Sequence, residues 1–446
     1  MTQQAAERPR LLQAMIDAFR QVDVRRKLLF TLAMLIVFRF VAHVPIPNVN
    51  REALSQAFQN STLLDFLSIF SGGALQNLSV AALGVYPYIT SSIIMNILTP
   101  LVPSLRAAQE EGEAGRRRIQ NMTHWLAVPL SMVQGYGQLI FINSQSGGAS
   151  VIDDFGIADH PFGTLATLMT LTAGTMFLVW LGELITDNGI GNGISILIFG
   201  GIVATLPGQI PKLSTESIIG VLAIVAFAFA LIYLVVFFQE AQRRVPVQYA
   251  RSSFRGGRMY RQQGTSHIPL RVNMAGMIPL IFAFSIMILP PIIASYFTDT
   301  GIGWVESTAN WFVDQFQGGR GGSGTGWYWA ILFVLVIVFT FFYTMVQYQQ
   351  QQIAKSLQRQ GAFIPGIRPG PPTEAYLMRV VTRITWAGAL FLGFVAILPF
   401  FIGLISDART LTVSATGFLI VVAVVLDTMK QLEAQLLMRN YEGFIR

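Results

Sequence analysis

The feature that most constrains this chain is a series of long apolar runs. Ten such runs recur along its 446 residues, separated by more polar stretches. A helix needs about 20 mainly apolar residues, with a range of about 17–25, to cross the hydrocarbon core of a bilayer. Lipid cannot satisfy backbone N–H and C=O groups, so runs of this length predict spanning helices. The predicted spans are Leu28–Val44, Val80–Val102, Trp125–Ile142, Phe162–Leu184, Ile190–Leu206, Ile218–Phe238, Met274–Phe297, Trp327–Val346, Ile384–Ile405 and Leu411–Met429.

The composition agrees with a chain whose surface faces lipid. Hydrophobic residues make up 53% of it and charged residues only 12%, whereas a soluble globular protein carries about 25% charged residues. The charged coat of a soluble protein is therefore missing.

The positive charges predict how the spans are oriented. If loops are assigned to alternate sides, one side holds both termini and all but five of the 30 Lys and Arg residues. Cytoplasmic loops of membrane proteins carry an excess of Lys and Arg, so both termini are predicted to be cytoplasmic. The five exceptions are Arg39, Arg51, Lys212, Arg320 and Arg409.

The N-terminal segment, residues 1–24, has an amphipathic pattern. Its apolar residues fall on one helical face, and arginines lie nearby. Such a helix can lie on an anionic membrane surface, or it can be solvated and pack on the protein's own loops; the sequence leaves both open. The apolar positions are Leu11, Leu12, Met15, Ile16 and Phe19.

A short apolar piece precedes the second run. Residues 62–70 are too few to cross a bilayer, and they are followed by Ser71, Gly72 and Gly73. The orientation places this piece on the outer side. It is predicted to be a re-entrant helix, which is tolerated where it is buried in protein or lines a cavity, or else a helix lying at the membrane surface.

The loop of residues 239–273 carries seven arginines against one acid, Glu240. Membrane orientation alone would explain three or four of them, so we interpret the loop as an arm that docks an acidic or phosphate-rich partner. The arginines are Arg243, Arg244, Arg251, Arg255, Arg258, Arg261 and Arg271.

The sequence offers no catalytic chemistry. It has no cysteine, its four histidines are scattered singly, and none of its four lysines lies in a phosphate-binding loop. Gly189, Gly191 and Gly193 follow no strand, so a tight turn with close helix packing is the better interpretation than a nucleotide site. We therefore predict no enzyme, no cofactor and no metal, and a partner that supplies the energy for any transport.

Several stretches together identify the chain as resembling the bacterial SecY family. They occur in the family's order and cover nearly the whole chain. The stretches are Phe70–Tyr88, Glu111–Arg118, Gly174–Phe199, Val272–Pro279 and Gly361–Gly370, with Pro45–Pro47 following Arg39.

The resemblance implies an all-α membrane protein of ten transmembrane helices in two inverted five-helix halves around a central hourglass pore. The halves would be residues 25–210 and 215–430, with a cytoplasmic tail at 431–446. The pore waist would be a ring of aliphatic side chains, which resists ion passage because it offers an ion no ligands. The matching ring positions are Val85, Ile89, Ile194, Ile198, Ile281 and Ile420.

The resemblance also implies a plug, a lateral gate and docking arms. The plug would be residues of about 62–77, and the gate would lie near Asn96 and Ser285, with Pro87, Pro279, Pro290 and Pro291 providing hinges and kinks. Arg255 and Arg258 in the 239–273 loop and Arg368 in the 347–383 loop would dock a motor or ribosome. The plug positions are Thr62, Leu63, Leu64, Phe66, Leu67, Phe70, Ser71, Gly72 and Gly73.

The implied function is a passive protein-conducting channel of the bacterial plasma membrane, which translocates unfolded polypeptides and releases transmembrane segments laterally. The implied partners are the small subunits SecE and SecG, the SecA motor ATPase, the ribosome, signal sequences, nascent polypeptides and anionic lipids. Accessory insertase or SecDF-type factors also fit.

Two rival functions are a secondary transporter and an assembly scaffold. Ion-coupled transporters need buried ionisable groups at depth, and no predicted span has a charge near its middle. A scaffold needs neither a plug-like segment nor an aliphatic ring.

Overall fold

The computed structural model is mostly helical. It describes residues 21–60, 64, 67–68, 71–146, 150–152, 155–156, 160–209, 218–255, 258–276, 278–297, 303–316, 325–351, 353–405, 417 and 420–432. The predicted amphipathic segment falls almost entirely outside these residues, as do Thr62, Leu63, Phe66 and Phe70 of the predicted plug.

Fourteen helices and three strands occur in this part of the chain. The helices are α1 Val22–Val41, α2 Arg51–Asn60, α3 Tyr86–Leu101, α4 Pro103–Glu110, α5 Glu113–Gln145, α6 Pro161–Asn188, α7 Gly193–Thr205, α8 Ile218–Glu240, α9 Ile278–Ser295, α10 Gly303–Phe316, α11 Thr325–Gln351, α12 Ile353–Arg359, α13 Pro371–Ile405 and α14, residues 420–432. The strands are β1 Gln242–Arg255, β2 Arg258–Arg271 and β3 Ala362–Phe363.

All ten predicted spans contain helix, but the described helices differ in length. Five of them are long and apolar enough to cross a membrane by themselves: α5, α6, α9, α11 and α13. A sixth span results if α3 and α4 are counted together, although they are bent by 99° at their junction. Helix α7 and the stretch Ala228–Glu240 of α8 are apolar but only 10–17 residues long. Within the described ranges, length and composition thus establish five or six spans rather than ten.

Two of the predicted spans begin later than the apolar pattern indicated. Residues 80–85 form turns, and α3 starts at Tyr86, after Gly84 with a φ of +59°. In the same way α7 starts at Gly193, after Gly191 with a φ of +81°. A left-handed residue ends helical geometry, and glycine adopts it without a steric cost, so hydropathy alone misplaced both boundaries.

The roles predicted for Pro87 and Pro279 are wrong. Each lies in the first turn of its helix, α3 or α9. The N–H that proline lacks is unsatisfied there in any helix, so proline starts a helix at this position instead of kinking it. Pro290 and Pro291 do lie inside α9, where each removes a helical hydrogen bond.

The all-α fold class omitted a sheet. The arginine-rich loop forms a long antiparallel hairpin in which Gln242 pairs with Arg271 at the base and Arg255 with Arg258 at the end. Strand β3 adds to β1, with Gln248 opposite Phe363, so the strand order is β2-β1-β3. Only Gly256 and Gly257 separate the paired residues Arg255 and Arg258 along the chain.

The chain divides into two compact units. The first comprises Met1–Glu216, Ile288–Gly322 and Ile420–Arg446, and the second Ser217–Met287 and Ser323–Leu419. Each unit has its own hydrophobic clusters. One cluster of the first unit joins α2, α5 and described residues between Leu64 and Tyr86 to the end of α9 and to α10. A cluster of the second unit joins the sheet to α11, α12 and α13.

Candidate functional site

The described part of the predicted plug is buried in the first unit. Leu64 is 0% and Leu67 4% exposed, and both belong to the cluster that contains Leu139 and Ile142 of α5. Fully burying a leucine contributes about 1.5–3 kcal/mol. This burial favours a segment enclosed by protein over a helix lying at the membrane surface.

The plug residues end in a tight break. The N–H of Ser71 donates to the carbonyl of Leu67 at 3.0 Å and that of Gly73 to Ser68 at 2.8 Å. Gly72 and Gly73 then adopt φ values of +65° and +82°. The pattern resembles a helix C-terminus closed by left-handed glycines, so the predicted break is a structured turn. We call Ser71–Gly73 the hinge.

The hinge is wedged between α1 and α7. A Cβ atom placed on Gly72 would lie 2.7 Å from the Cα of Gly201 and 2.8 Å from the ring of Phe38. A Cβ on Gly73 would lie 3.4 Å from the side chain of Thr205. Gly201 and Thr205 are one helical turn apart, so the hinge runs along one face of α7.

Arg39 is a residue whose role the sequence alone did not reveal. Its guanidinium donates a hydrogen bond of 2.6 Å to the backbone carbonyl of Gly72. The sequence does contain a signal, because a charged residue within an apolar run is by default a functional hypothesis. It does not name the partner, which lies 33 residues away along the chain.

The ring positions lie on four helices and one helix cap. Val85 immediately precedes α3, Ile89 lies on α3, Ile194 and Ile198 on α7, Ile420 on α14, and Ile281 on α9. Val85, Ile89, Ile198 and Ile420 are at most 7% exposed, whereas Ile194 and Ile281 are half-buried. Burial suits ordinary packing as well as a closed waist, so the ring stays a prediction.

The two lateral-gate residues belong to different units. Asn96 lies half-buried on α3 of the first unit. Ser285 is 3% exposed on the part of α9 that belongs to the second unit. The gate also stays a prediction.

The two predicted docking loops share one folded base in the second unit. Val245 and Val247 alternate on β1 and are each 1% exposed. They pack in one cluster with Ile364, next to β3, and with Leu377 of α13. The pairing of β1 with β3 therefore fixes the arginine hairpin to the 347–383 loop. Arg255 and Arg258 lie at the far end of this hairpin.

Arg368 lies exposed on a constrained turn of the same base. Gly366 and Gly370 flank it with φ values of +81° and +106°. The hydroxyl of Thr373 donates to the Arg368 carbonyl at 2.8 Å, which ties the turn to the start of α13. The guanidinium is thus presented to solvent from an ordered backbone, as a docking residue requires.

The glycine run at 189–193 is a tight turn, as predicted. A Cβ on Gly193 would lie 1.8 Å from the carbonyl oxygen of Gly182, so α6 and α7 meet at backbone contact. The side chain of Asn192 accepts hydrogen bonds from the N–H groups of Ile194 and Ser195 at 3.1 and 3.3 Å. This cap satisfies two N–H groups at the start of α7.

A polar cluster joins α5 to α6. Gln120 donates to the Glu183 carboxylate at 2.6 Å, and the His124 ring nitrogen lies 2.9 Å from the same oxygen. The Tyr88 ring of α3 packs 5.5 Å from the His124 ring. These contacts join the start of α5 to the end of α6, and we assign this cluster to helix packing.

Comparison with known proteins places these features in one family. The SecY family model matches residues 79–429. The protein translocase subunit SecY of Streptomyces galbus is 40% identical over 457 residues, covering 98% of this chain and 100% of the relative. That of Halalkalibacterium halodurans is 40% identical over 449 residues, with the same coverage of both chains.

Solved structures agree at the level of the fold. A protein-conducting channel matches with a TM-score of 0.62 and 16% identity, covering 93% of each chain. A SecY structure, whose plug domain is described as stabilising the closed state of the translocation channel and maintaining a membrane seal, gives the same values. Sec61 from the canine ribosome–channel complex matches with a TM-score of 0.60 and 16% identity, again covering 93% of each chain.

The family model spans most of the chain and the full-length relatives share two fifths of its residues, so this chain belongs to the SecY family of protein translocase subunits.

Proposed function

We propose that this chain is the pore subunit of a bacterial protein translocase. It conducts unfolded polypeptides across the plasma membrane and releases transmembrane segments sideways into lipid. The observation that carries the proposal is the plug: a short apolar segment, too short to span, whose described residues Leu64 and Leu67 are buried in the first unit and which is followed by a glycine hinge.

In the proposed architecture, ten helices form two inverted halves, residues 25–210 and 215–430, around an hourglass pore with both termini in the cytoplasm. The helix found in every predicted span and the likeness to solved channels support it. The waist is the ring of Val85, Ile89, Ile194, Ile198, Ile281 and Ile420. Aliphatic side chains fit around an extended polypeptide of any sequence, and they offer ions no ligands.

The lateral gate opens near Asn96 and Ser285. Pro290 and Pro291, which interrupt α9 two turns or less beyond Ser285, make this helix easier to bend than an uninterrupted one. A bend in α9 would let an apolar segment leave the pore toward lipid.

The energy comes from a partner, because the chain is a non-enzymatic pore. The exposed Arg368 and the arginines of the β1–β2 hairpin are the docking points for a SecA-type motor or a ribosome. Arginine suits this role because its planar guanidinium binds phosphate and carboxylate groups in pairs of hydrogen bonds. The ribosome complex of a structural relative supports one of these partners, and SecE and SecG complete the proposed assembly.

Deletion of the plug tests the proposal. Removing residues 62–71 from the full chain is expected to raise the resting ion conductance in planar bilayers, because the seal is lost, while precursor proteins are still translocated. An unchanged resting conductance in a variant of normal abundance would show that the segment does not seal a pore.

A further inference from the structure

The inference concerns Arg39, and it rests on the proposed function. We propose that Arg39 is the positioning residue of the plug, which holds the hinge in the closed channel by binding the backbone carbonyl of Gly72. It acts from α1, outside the plug sequence itself.

The geometry supports a specific hold. Arg39 lies in the last turn of α1, and its Nη1 is 2.6 Å from the Gly72 oxygen. A hydrogen bond from a charged donor is about twice as strong as one between neutral groups. The carbonyl belongs to Gly72, whose φ is +65°. The bond therefore fixes the turn that connects the plug to the residues after it.

The surroundings explain why the hold is effective. Phe38, the neighbour of Arg39, is 3% exposed and packs against Gly72. The backbone of Gly201 in α7 also packs against Gly72. The hinge is therefore packed closely against both α1 and α7, and the Arg39 bond ties it to α1.

A purely local role is the alternative. A cation in the last turn of a helix is favoured by the helix dipole, and Arg39 would then stabilise only the end of α1. The Nδ1 atom of His43 lies 2.7 Å from the backbone carbonyl oxygen of Arg39, and this contact too is confined to the end of α1. The two roles differ in what happens when the plug is absent, and this difference decides the experiment.

The experiment compares Arg39→Leu, Arg39→Lys and Arg51→Leu in the full chain with its accompanying subunits. Arg51 is also on the outer side by the predicted orientation and is exposed at the start of α2, so Arg51→Leu removes the same charge away from the hinge. Because the chain contains no cysteine, a Ser71→Cys background gives a single thiol at a site that is 2% exposed. Its labelling by a membrane-impermeant maleimide reports release of the hinge, and resting conductance reports opening.

Arg39→Leu is expected to raise both the labelling rate and the resting open fraction by about tenfold to a hundredfold. Arg39→Lys keeps the charge and one donor, so an intermediate value is expected, and Arg51→Leu should match the parent. Equal labelling and conductance in Arg39→Leu and Arg51→Leu would overturn the inference.

A double variant separates this inference from the proposed function. If Arg39 acts through the plug, adding Arg39→Leu to the deletion of residues 62–71 should change conductance no further, since coupled residues are not additive. A further additive increase would assign Arg39 to the helix end alone. If the plug deletion itself leaves conductance unchanged, the proposed function fails, whatever Arg39 does.

Discussion

The contact between Gly201 and Gly72 gives a prediction whose magnitude follows from the structure. A Cβ atom on Gly201 would lie 2.6 Å from the Cα of Gly72 and 3.2 Å from its nitrogen. Carbon atoms pack at about 3.5–4.0 Å, so Gly201→Ala requires the hinge to retreat by about 1 Å. Because the obstacle is backbone and not a rotatable side chain, the strain is expected to be about 1–3 kcal/mol.

This strain exists only while the plug is seated. Alanine also stabilises α7 by about 0.5–1 kcal/mol relative to glycine, but this gain is the same in the closed and open states. Only the strain therefore changes the closed-to-open ratio, which should fall by about fivefold to 140-fold at 1.4 kcal/mol per factor of ten. Resting conductance per channel in planar bilayers measures this ratio.

The neighbouring residue provides a matched control. A Cβ on Gly200 would lie 2.6 Å from the Cδ2 atom of Leu35, the end of a flexible side chain. Gly200→Ala changes the same helix by the same methyl group, but Leu35 can rotate away, so normal resting conductance is expected. Equal conductance in Gly200→Ala and Gly201→Ala, at equal abundance, would refute the reasoning.

Two further predictions concern the waist and the docking base. Ile420→Asn places an unpartnered amide at a position that is 1% exposed, at a cost of about 1–3 kcal/mol. Export of precursors with defective signal sequences, normalised to channel abundance, should therefore rise. If Ile420 served only in packing, the substitution would lower channel abundance and leave selectivity per channel unchanged. Arg368→Glu should strongly reduce motor-driven translocation in reconstituted vesicles without affecting insertion of the channel, and Arg368→Lys should retain more activity because it keeps the charge; translocation near the parent level in Arg368→Glu would show that Arg368 does not dock the motor.

The helical character of the chain could be predicted from its sequence, because each apolar run must hydrogen-bond its own backbone in lipid. The exact ends of α3 and α7 could not, since Gly84 and Gly191 stop the helices inside runs that hydropathy treats as continuous. Hydropathy measures transfer into lipid, not backbone geometry.

The sheet was missed for a different reason. Val245 and Val247 alternate with more exposed residues, as in a half-buried strand. The seven arginines of the loop indicate a docking arm and give no sign of this strand. Their partners are also distant: β3 is more than 100 residues after β1 in the chain. A pairing at that separation depends on tertiary packing, which local pattern does not encode.

The candidate site, too, could be predicted only in part from the sequence. The break at Gly72 and Gly73 could be predicted because two glycines after a short apolar piece favour a turn. The fit of this break against Phe38 and Gly201, and the bond from Arg39, could not, since they join three separate segments. Sequence indicated where the chain bends, and the structure indicated what holds the bend.

The most direct test of the account is translocation by the purified protein. The full chain with the proposed small subunits SecE and SecG is reconstituted into liposomes, and an unfolded precursor, a SecA-type motor and ATP are added outside. We predict that the precursor becomes protected from protease in proportion to the amount of channel, only when motor and ATP are both present. Precursor that stays fully accessible to protease under these conditions, with the chain correctly inserted, would contradict the central claim that this chain conducts polypeptides.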